Sequence, residues 1–353
     1  MKKRKRTSIY ANILFSIIAL VSLTITIVVL LINYSVKNKL EQSEAKVNEL
    51  TERTNQYIYT QADLDGKVLE AREEGNNEEK EFLLDEIKQR LSEGDSTYEL
   101  VRSLFPNDLV VMAESRYIFY PVTDEYKHHS YIKECFVADE NTGEITYQDL
   151  EGNVLSSKCI DVSKHNGEID WSKVKEDGVE YAFIRMGYRG SSEGKLVQDE
   201  TFENNIKGAI QNDIKVGVYF FTQAISEEEA IEEADFVLDA IEPYRITLPV
   251  AIDVEEMDNS RTSGIDATQR TDATIAFLER IKGAGYTPMI YGNLKSMLYM
   301  LETNRIEPYE KWFAYYHMPQ YYPYEHTIWQ YSAEGTVNGV TGNVDLNIVL
   351  KKY

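Results

Sequence analysis

Cysteine is scarce: the 353-residue chain has two, Cys135 and Cys159. Two thiols cannot build a disulfide scaffold or a cysteine-rich zinc site. Histidine is scarce too, five in all, with no His-x-x-x-His or His-Glu-x-x-His spacing, which argues against a metal hydrolase. Basic residues are outnumbered, 37 Lys and Arg against 59 Asp and Glu, giving a formal net charge of −22. No basic run follows Arg6, so nucleic acid finds no counter-charge and is not an expected partner. Metal and cofactor are not expected either. What is plentiful is apolar surface: 43% hydrophobic and 27% charged residues describe a globular chain, long enough for about two domains at ~150 residues each.

The one long apolar run lies near the N-terminus. Lys2, Lys3, Arg4, Lys5 and Arg6 precede an uncharged stretch from Thr7 to Val36. Its core, Ile13 to Ile32, is about 20 residues, which at ~1.5 Å per residue crosses a ~30 Å hydrocarbon layer. A cleaved signal peptide is the alternative, but it has a shorter apolar region and a small-residue cleavage site. The run here passes through Val28, Val29, Leu30, Leu31 and Ile32 with no Ala-x-Ala. The pattern therefore predicts a basic cytoplasmic segment over 1–12 and a single-pass signal-anchor helix over 13–34. The basic flank predicts a cytoplasmic N-terminus and an external remainder.

Residues 35–106 read as a helical stalk. Val36, Leu40, Val47, Leu50, Tyr57, Leu64 and Val68 recur at spacings of a heptad seam, with polar Ser43, Thr54 and Gln61 filling the register. The seam predicts a coiled coil with weak self-association, because three of its positions are polar. A single exposed amphipathic helix is the alternative. Gly75-Asn76-Asn77 should break the seam before a second helix over Glu78–Leu91. Ser96 with Glu99 forms a capping box before a short helix ending near Pro106. Residues 107–158 are richer in β-formers, at Leu109–Ala113, Tyr117–Tyr120 and Glu144–Tyr147, with turns at Asn141-Thr142-Gly143 and Glu151-Gly152-Asn153. They predict a small β-rich linker module. Cys135 and Cys159 are either bridged, contributing ~3 kcal/mol, or two free buried thiols.

From Cys159 onward, strand-like runs alternate with helical patterns. The runs are Cys159–Val162, Tyr181–Arg185, Lys215–Phe221, Pro249–Glu255, Thr287–Tyr291, Lys311–Tyr316, Thr327–Tyr331 and Asn343–Asp345. Between them lie helices such as Glu227–Ile241, opened by Ser226 and Glu229, and Thr268–Lys282, closed by Gly283. Alternation of this kind predicts an α/β barrel of mostly parallel strands, whose last part departs from regular βα.

The ends of these strands carry the chemistry. Asp161 ends the first, Tyr219 and Phe221 the third, and Asp253 and Glu255 the fourth. Tyr291, then Trp312 and Tyr316, then Trp329, Gln330 and Tyr331, and finally Asp345 end the later ones. Parallel strands bring such ends to one rim, where barrels place their active sites. Carboxylates beside aromatic rings suit a sugar polymer, since rings stack on sugar faces and carboxyls do acid–base work at the glycosidic oxygen. Asp253 and Glu255 are the sharpest pair. Two apart on a strand, their side chains share a face, with Cα atoms ~6.5 Å apart at ~3.3 Å per residue. Mutual repulsion raises one pKa and leaves an acid protonated near neutrality.

Asp161-Val162-Ser163-Lys164-His165-Asn166-Gly167-Glu168-Ile169-Asp170-Trp171 resembles the opening motif of glycoside hydrolase family 25, the Chalaropsis-type lysozymes. So do Gly217–Phe221, Ile252-Asp253-Val254-Glu255, Trp312 with Ala314 and Tyr316, Ile328–Tyr331, and Val344–Asn347. The motifs occur in family order over residues 159–353, and nothing in the first 158 residues shares them. The resemblance implies a (β/α)5β3 TIM-like barrel and an N-acetylmuramidase that cuts the β-1,4 bond between N-acetylmuramic acid and N-acetylglucosamine in peptidoglycan. Glu255 matches the family's proton donor, Asp253 the second central carboxylate, Asp161 and Asp345 the flanking acidic residues, and Tyr219 a tyrosine near the reacting sugar. Phe220 and Cys159 stand where many members have His and Gly. The family implies net retention, with either a substrate N-acetyl group or Asp253 as nucleophile. A tether supplies the local concentration that an acidic chain cannot gain by attraction to an anionic wall, which points to remodelling or turnover of the cell's own wall. The alternative is a catalytically inactive wall-binding scaffold on a stalk.

Overall fold

The computed structural model describes the backbone of residues 2–56, 58–59, 61–74, 77–318 and 320–353, and the side chains of 20–52, 62–68, 80–318 and 320–353. The chain divides into two compact units, Met1–Thr60 and Gln61–Tyr353.

The first unit is dominated by one helix, Lys2–Gln56. Its stretch Leu20–Glu52 is apolar enough and long enough to cross a membrane, with mean hydropathy 1.9 in its most apolar window. The apolar side chains described there, from Leu20 through Ile32, are exposed. The helix ends at Gln56 and the next begins at Gln61. The proposed seam over Val36–Val68 is thus not one continuous helix, and its member Tyr57 lies outside the described residues, as do Gly75 and Asn76 of the expected break.

In the second unit a helix spans Asn77–Glu93, and the capping box forms as the spacing requires. Ser96 Oγ accepts from Glu99 N at 3.2 Å, and Glu99 Oε2 accepts from Ser96 N at 3.1 Å, opening the helix Thr97–Leu104. Two antiparallel hairpins follow, Asp108–Ala113 with Arg116–Pro121 and Phe136–Ala138 with Ile145–Tyr147. Both cysteines are buried free thiols. Cys159 lies inside the barrel against Tyr181, Phe183 and Trp312, whereas Cys135 closes a short 3-10 turn before the second hairpin. The bridge weighed from the sequence is therefore absent.

Eight strands close a barrel: β1 (Ser157–Val162), β2 (Tyr181–Arg189), β3 (Lys215–Phe221), β4 (Val250–Asp253), β5 (Pro288–Asn293), β6 (Glu310–Ala314), β7 (Ile328–Gly335) and β8 (Val344–Val349). Pairing is parallel from β1 through β7, while β8 runs antiparallel between β7 and β1. Helices Trp171–Glu176, Phe202–Gln211, Glu227–Ile241 and Ala267–Gly283 cross between the first five strands. Ser226 caps the third of them by accepting from Glu229 N at 3.3 Å. Glu229, however, turns to Ile225 N and Arg261 instead of back to Ser226. The barrel interior is filled by Cys159, Tyr181, Phe183, Met289, Trp312 and Ile328 among others. Gly217 makes room for this: a Cβ there would stand 2.6 Å from the Phe183 ring and 2.8 Å from the Pro249 carbonyl.

Candidate active site

The alternation of each strand decides which side chains reach the cleft. On β1, Cys159 and Asp161 point inward, and Asp161 sits opposite Asp345 of β8 in register. On β4, Asp253 is the last residue, flanked by Phe221 and Tyr291 of its neighbours. Glu255 follows two positions later, past the end of the strand. The result is a cleft of ≈ 530 Å³ lined by Asp161, Asp253, Glu255 and Asp345 together with Tyr219, Phe221, Tyr291, Trp312, Tyr316 and Gln330.

Trp329 and Tyr331 do not belong to it. With Gln330 facing inward, its two neighbours on β7 must face outward. Trp329 packs against Phe136 of the second hairpin, ring centroids 5.2 Å apart, and donates to the Tyr315 carbonyl. Tyr331 lies in the same outer core. Both are buried in the barrel wall and do not line the cleft. Trp312 is at the cleft floor, 1% exposed, ringed by Phe183, Tyr219 and Tyr291. It forms the base of the pocket, and the half-exposed Tyr316 is the ring that a ligand can stack on.

A hydrogen-bond relay holds Asp161. Tyr291 and Tyr316 both donate to Gln330 Oε1 at 2.8 Å. That fixes the amide so that Gln330 Nε2 donates to Asp161 Oδ2 at 2.9 Å. Trp312 Nε1 donates to Asn347 Oδ1 at 2.7 Å, which aims Asn347 Nδ2 at the same Asp161 oxygen at 2.8 Å. Asp253 is treated differently. It is 5% exposed, and its Oδ1 is buried with no hydrogen-bond partner among the described residues. Such an oxygen is costly unless something else supplies the donor.

The electrostatics follow from this crowding. Burial first, then the charges of Glu255 and Asp161, hold the Asp253 carboxyl well above the ordinary carboxylate range, against the pull of Arg185. Burial and then Asp345 hold Asp161 well above it too, against donation from Asn347 and Gln330. Glu255 is raised by burial and by Asp345. Burial pushes Asp345 up to about 6. Four carboxyls crowded into one buried cleft are thus all raised above the ordinary carboxylate range. An array that holds both a protonated acid and a carboxylate can protonate a leaving group and stabilise a cation.

Sequence reading did not single out Lys164, His165, Arg185, Tyr188 and Met257, which also line the cleft. Arg185 is tied to buried Asp199, its Nε donating at 2.7 Å. The signal was available for Lys164 and His165, which lie inside the opening motif, but not for Tyr188, which only the continuation of β2 brings to the rim.

Three comparisons bear on this cleft. The family model for glycosyl hydrolases family 25 matches residues 160–340, just over half of the chain. An autolytic lysozyme of Clostridium acetobutylicum is 26% identical over 191 residues, covering 54% of this chain and 55% of that protein. Lysozyme M1 of Streptomyces globisporus is 29% identical over 203 residues, covering 53% and 66%. Among solved structures, the modular autolysin LytC of Streptococcus pneumoniae aligns with a TM-score of 0.50 at 23% identity, over 69% of this chain and 56% of that one; this likeness speaks for the fold. The chain thus spans little more than half the length of some of the proteins it resembles.

Proposed function

Because the chain belongs to glycosyl hydrolases family 25, we propose that it is a membrane-anchored lysozyme that hydrolyses the β-1,4 bond between N-acetylmuramic acid and N-acetylglucosamine in peptidoglycan. The observation that carries this reading is the convergence of Asp161, Asp253, Glu255 and Asp345 on one aromatic-walled cleft, with a buried Asp253 oxygen left unpaired. Glu255, the more accessible of the central pair, is the general acid that protonates the leaving oxygen. Asp253 supplies its spare oxygen to the substrate, either orienting the neighbouring N-acetyl group or attacking the anomeric carbon. Asp161 and Asp345 set the field of the groove, and Tyr219, Phe221, Tyr291, Tyr316 and Gln330 shape the sugar site. The run of elements, with helices between the first five strands and an irregular end, supports the (β/α)5β3 description.

The apolar helix over Leu20–Glu52, with Lys2 to Arg6 before it, supports a signal anchor with a cytoplasmic N-terminus and an external barrel. The stalk is read as a spacer with weak self-association. Tethering raises the effective concentration of an acidic enzyme at an anionic wall, which suits turnover of the cell's own peptidoglycan. Mass spectrometry of peptidoglycan digested by the full chain tests the reaction. New reducing ends on muramic acid are the expected product. Reducing ends on glucosamine, or none, overturn the assignment and return the scaffold reading.

A further inference from the structure

We propose, resting on the muramidase reading, that the helix Thr97–Leu104 is part of the catalytic apparatus and that Arg102 is a positioning residue for the cleft. Arg102 is buried, 9% exposed, and among the described residues no carboxylate pairs with it. Its guanidinium lies instead over three tyrosine rings, 4.1 Å from Tyr98, 4.7 Å from Tyr321 and 5.1 Å from Tyr315. It donates to Tyr98 Oη at 2.8 Å and to Tyr315 Oη at 3.1 Å.

A buried cation without a counter-ion is an expensive way to join a helix to a barrel, since apolar residues of similar volume do that at lower cost. What the cation grips is the explanation. Tyr315 and Tyr321 belong to the segment that leaves β6, and Tyr316 lies between them. Tyr315 is pinned from its other side as well, donating its N–H to the Gln330 carbonyl at 2.9 Å and accepting from Trp329 Nε1 at 2.7 Å. The next side chain, Tyr316, donates to Gln330 Oε1, and Gln330 in turn donates to Asp161. A continuous chain of contacts therefore runs from Arg102 through Tyr315, Tyr316 and Gln330 to a cleft carboxylate. Tyr316 is half-exposed, so its placement depends on the backbone that carries it, and that backbone is held by Arg102. Glu99 of the same helix adds a second grip, 3.3 Å from His317 Nδ1. The first hairpin does likewise for the segment after β5, where Tyr299 donates to Glu114 at 2.9 Å.

The test compares the full chain with Arg102→Met, Tyr316→Phe and the double variant on soluble glycan strands, following release of reducing-end muramic acid. Arg102→Met is expected to lower kcat on the order of 10-fold with KM nearly unchanged, within the ~10²-fold that a 1 Å misplacement costs. Tyr316→Phe should do the same, and the double variant should be no worse than either single one, because both break one relay. Full kcat in Arg102→Met, or losses that multiply in the double variant, overturn the proposal. If Arg102→Met does not fold, Tyr315→Phe replaces it: the ring stays and only the accepting hydroxyl goes. A smaller fall in kcat that disappears in the Tyr316→Phe background is then expected, and an unchanged kcat overturns the proposal. An inactive wild-type chain overturns the muramidase reading itself, whereas an active wild type with unaffected variants overturns only the role of Arg102.

Discussion

Glu233 and Asp253 are both buried in this barrel, and they are handled in opposite ways. Glu233, fully buried on the helix Glu227–Ile241, accepts from Arg189 Nε at 2.8 Å, from Thr222 Oγ1 at 2.7 Å and from Gln223 N at 3.4 Å. Arg189 is satisfied in turn by the carbonyls of Gly194 and Glu229. Asp253, 5% exposed on β4, has an oxygen with no donor among the described residues and carboxylates for neighbours. Burial alone therefore does not mark a working group. The distinction lies in whether the protein completes the hydrogen bonds itself or leaves them for a ligand.

The sharpest way to break this comparison is Glu255→Gln. It keeps shape and hydrogen bonding but removes the proton, and the expected loss is ~10²–10⁴ in kcat, the worth of a positioned general acid. Reducing-end release by protein with an unchanged melting temperature measures it, and wild-type turnover would falsify the assignment. Glu233→Leu should act in the other currency. It removes one of two carboxylates that Arg189 holds, leaving Glu232 at 3.2 Å and the two carbonyls, so stability should fall by ~1–3 kcal/mol from the unmet buried donors, while the protein that remains folded keeps its kcat. Denaturant melts and active-fraction kinetics check both halves.

The smallest effect expected is a gain. Asp345 is pushed up to about 6 in the folded protein, above its unfolded value of ~3.9. The folded state thus holds more protons between those values, and stability falls as pH rises through that window. Asp345→Asn removes this cost. Its melting temperature should exceed that of wild type at pH 7.5 by about 2–4 °C, the scale of ~1 kcal/mol in a domain of this size, and match it near pH 3.5. A difference that persists unchanged at low pH defeats the linkage.

Local rules carried the reading of the chain a long way. All eight barrel strands, the Ser96–Glu99 box and the helix Glu227–Ile241 follow from period, caps and turn residues within a few positions of each other. Asp161, Asp253 and Glu255 were legible for the same reason, since each closes an apolar run, whereas Asp345 stands at the start of β8 and not at its end, and reaches the same rim because β8 runs antiparallel. Trp329 and Tyr331 were misplaced because a strand end names a rim without naming a face, and the face was settled by Gln330 pairing with Asp161 across the barrel. The heptad seam is shared between the helices Lys2–Gln56 and Gln61–Glu74, since its spacing says nothing of where one helix ends and the next begins.

What the sequence by itself determined is the class of chemistry: acidic strand ends, an aromatic rim and an apolar N-terminal helix. These are properties of short windows, where side-chain type and backbone period are coupled directly. Only the tertiary structure decided which carboxylate is left without a donor, that Cys135 and Cys159 remain free, and that Arg102 grips Tyr315. Those outcomes join residues tens to hundreds of positions apart. They depend on which surfaces meet when the chain packs, and no local period encodes that meeting.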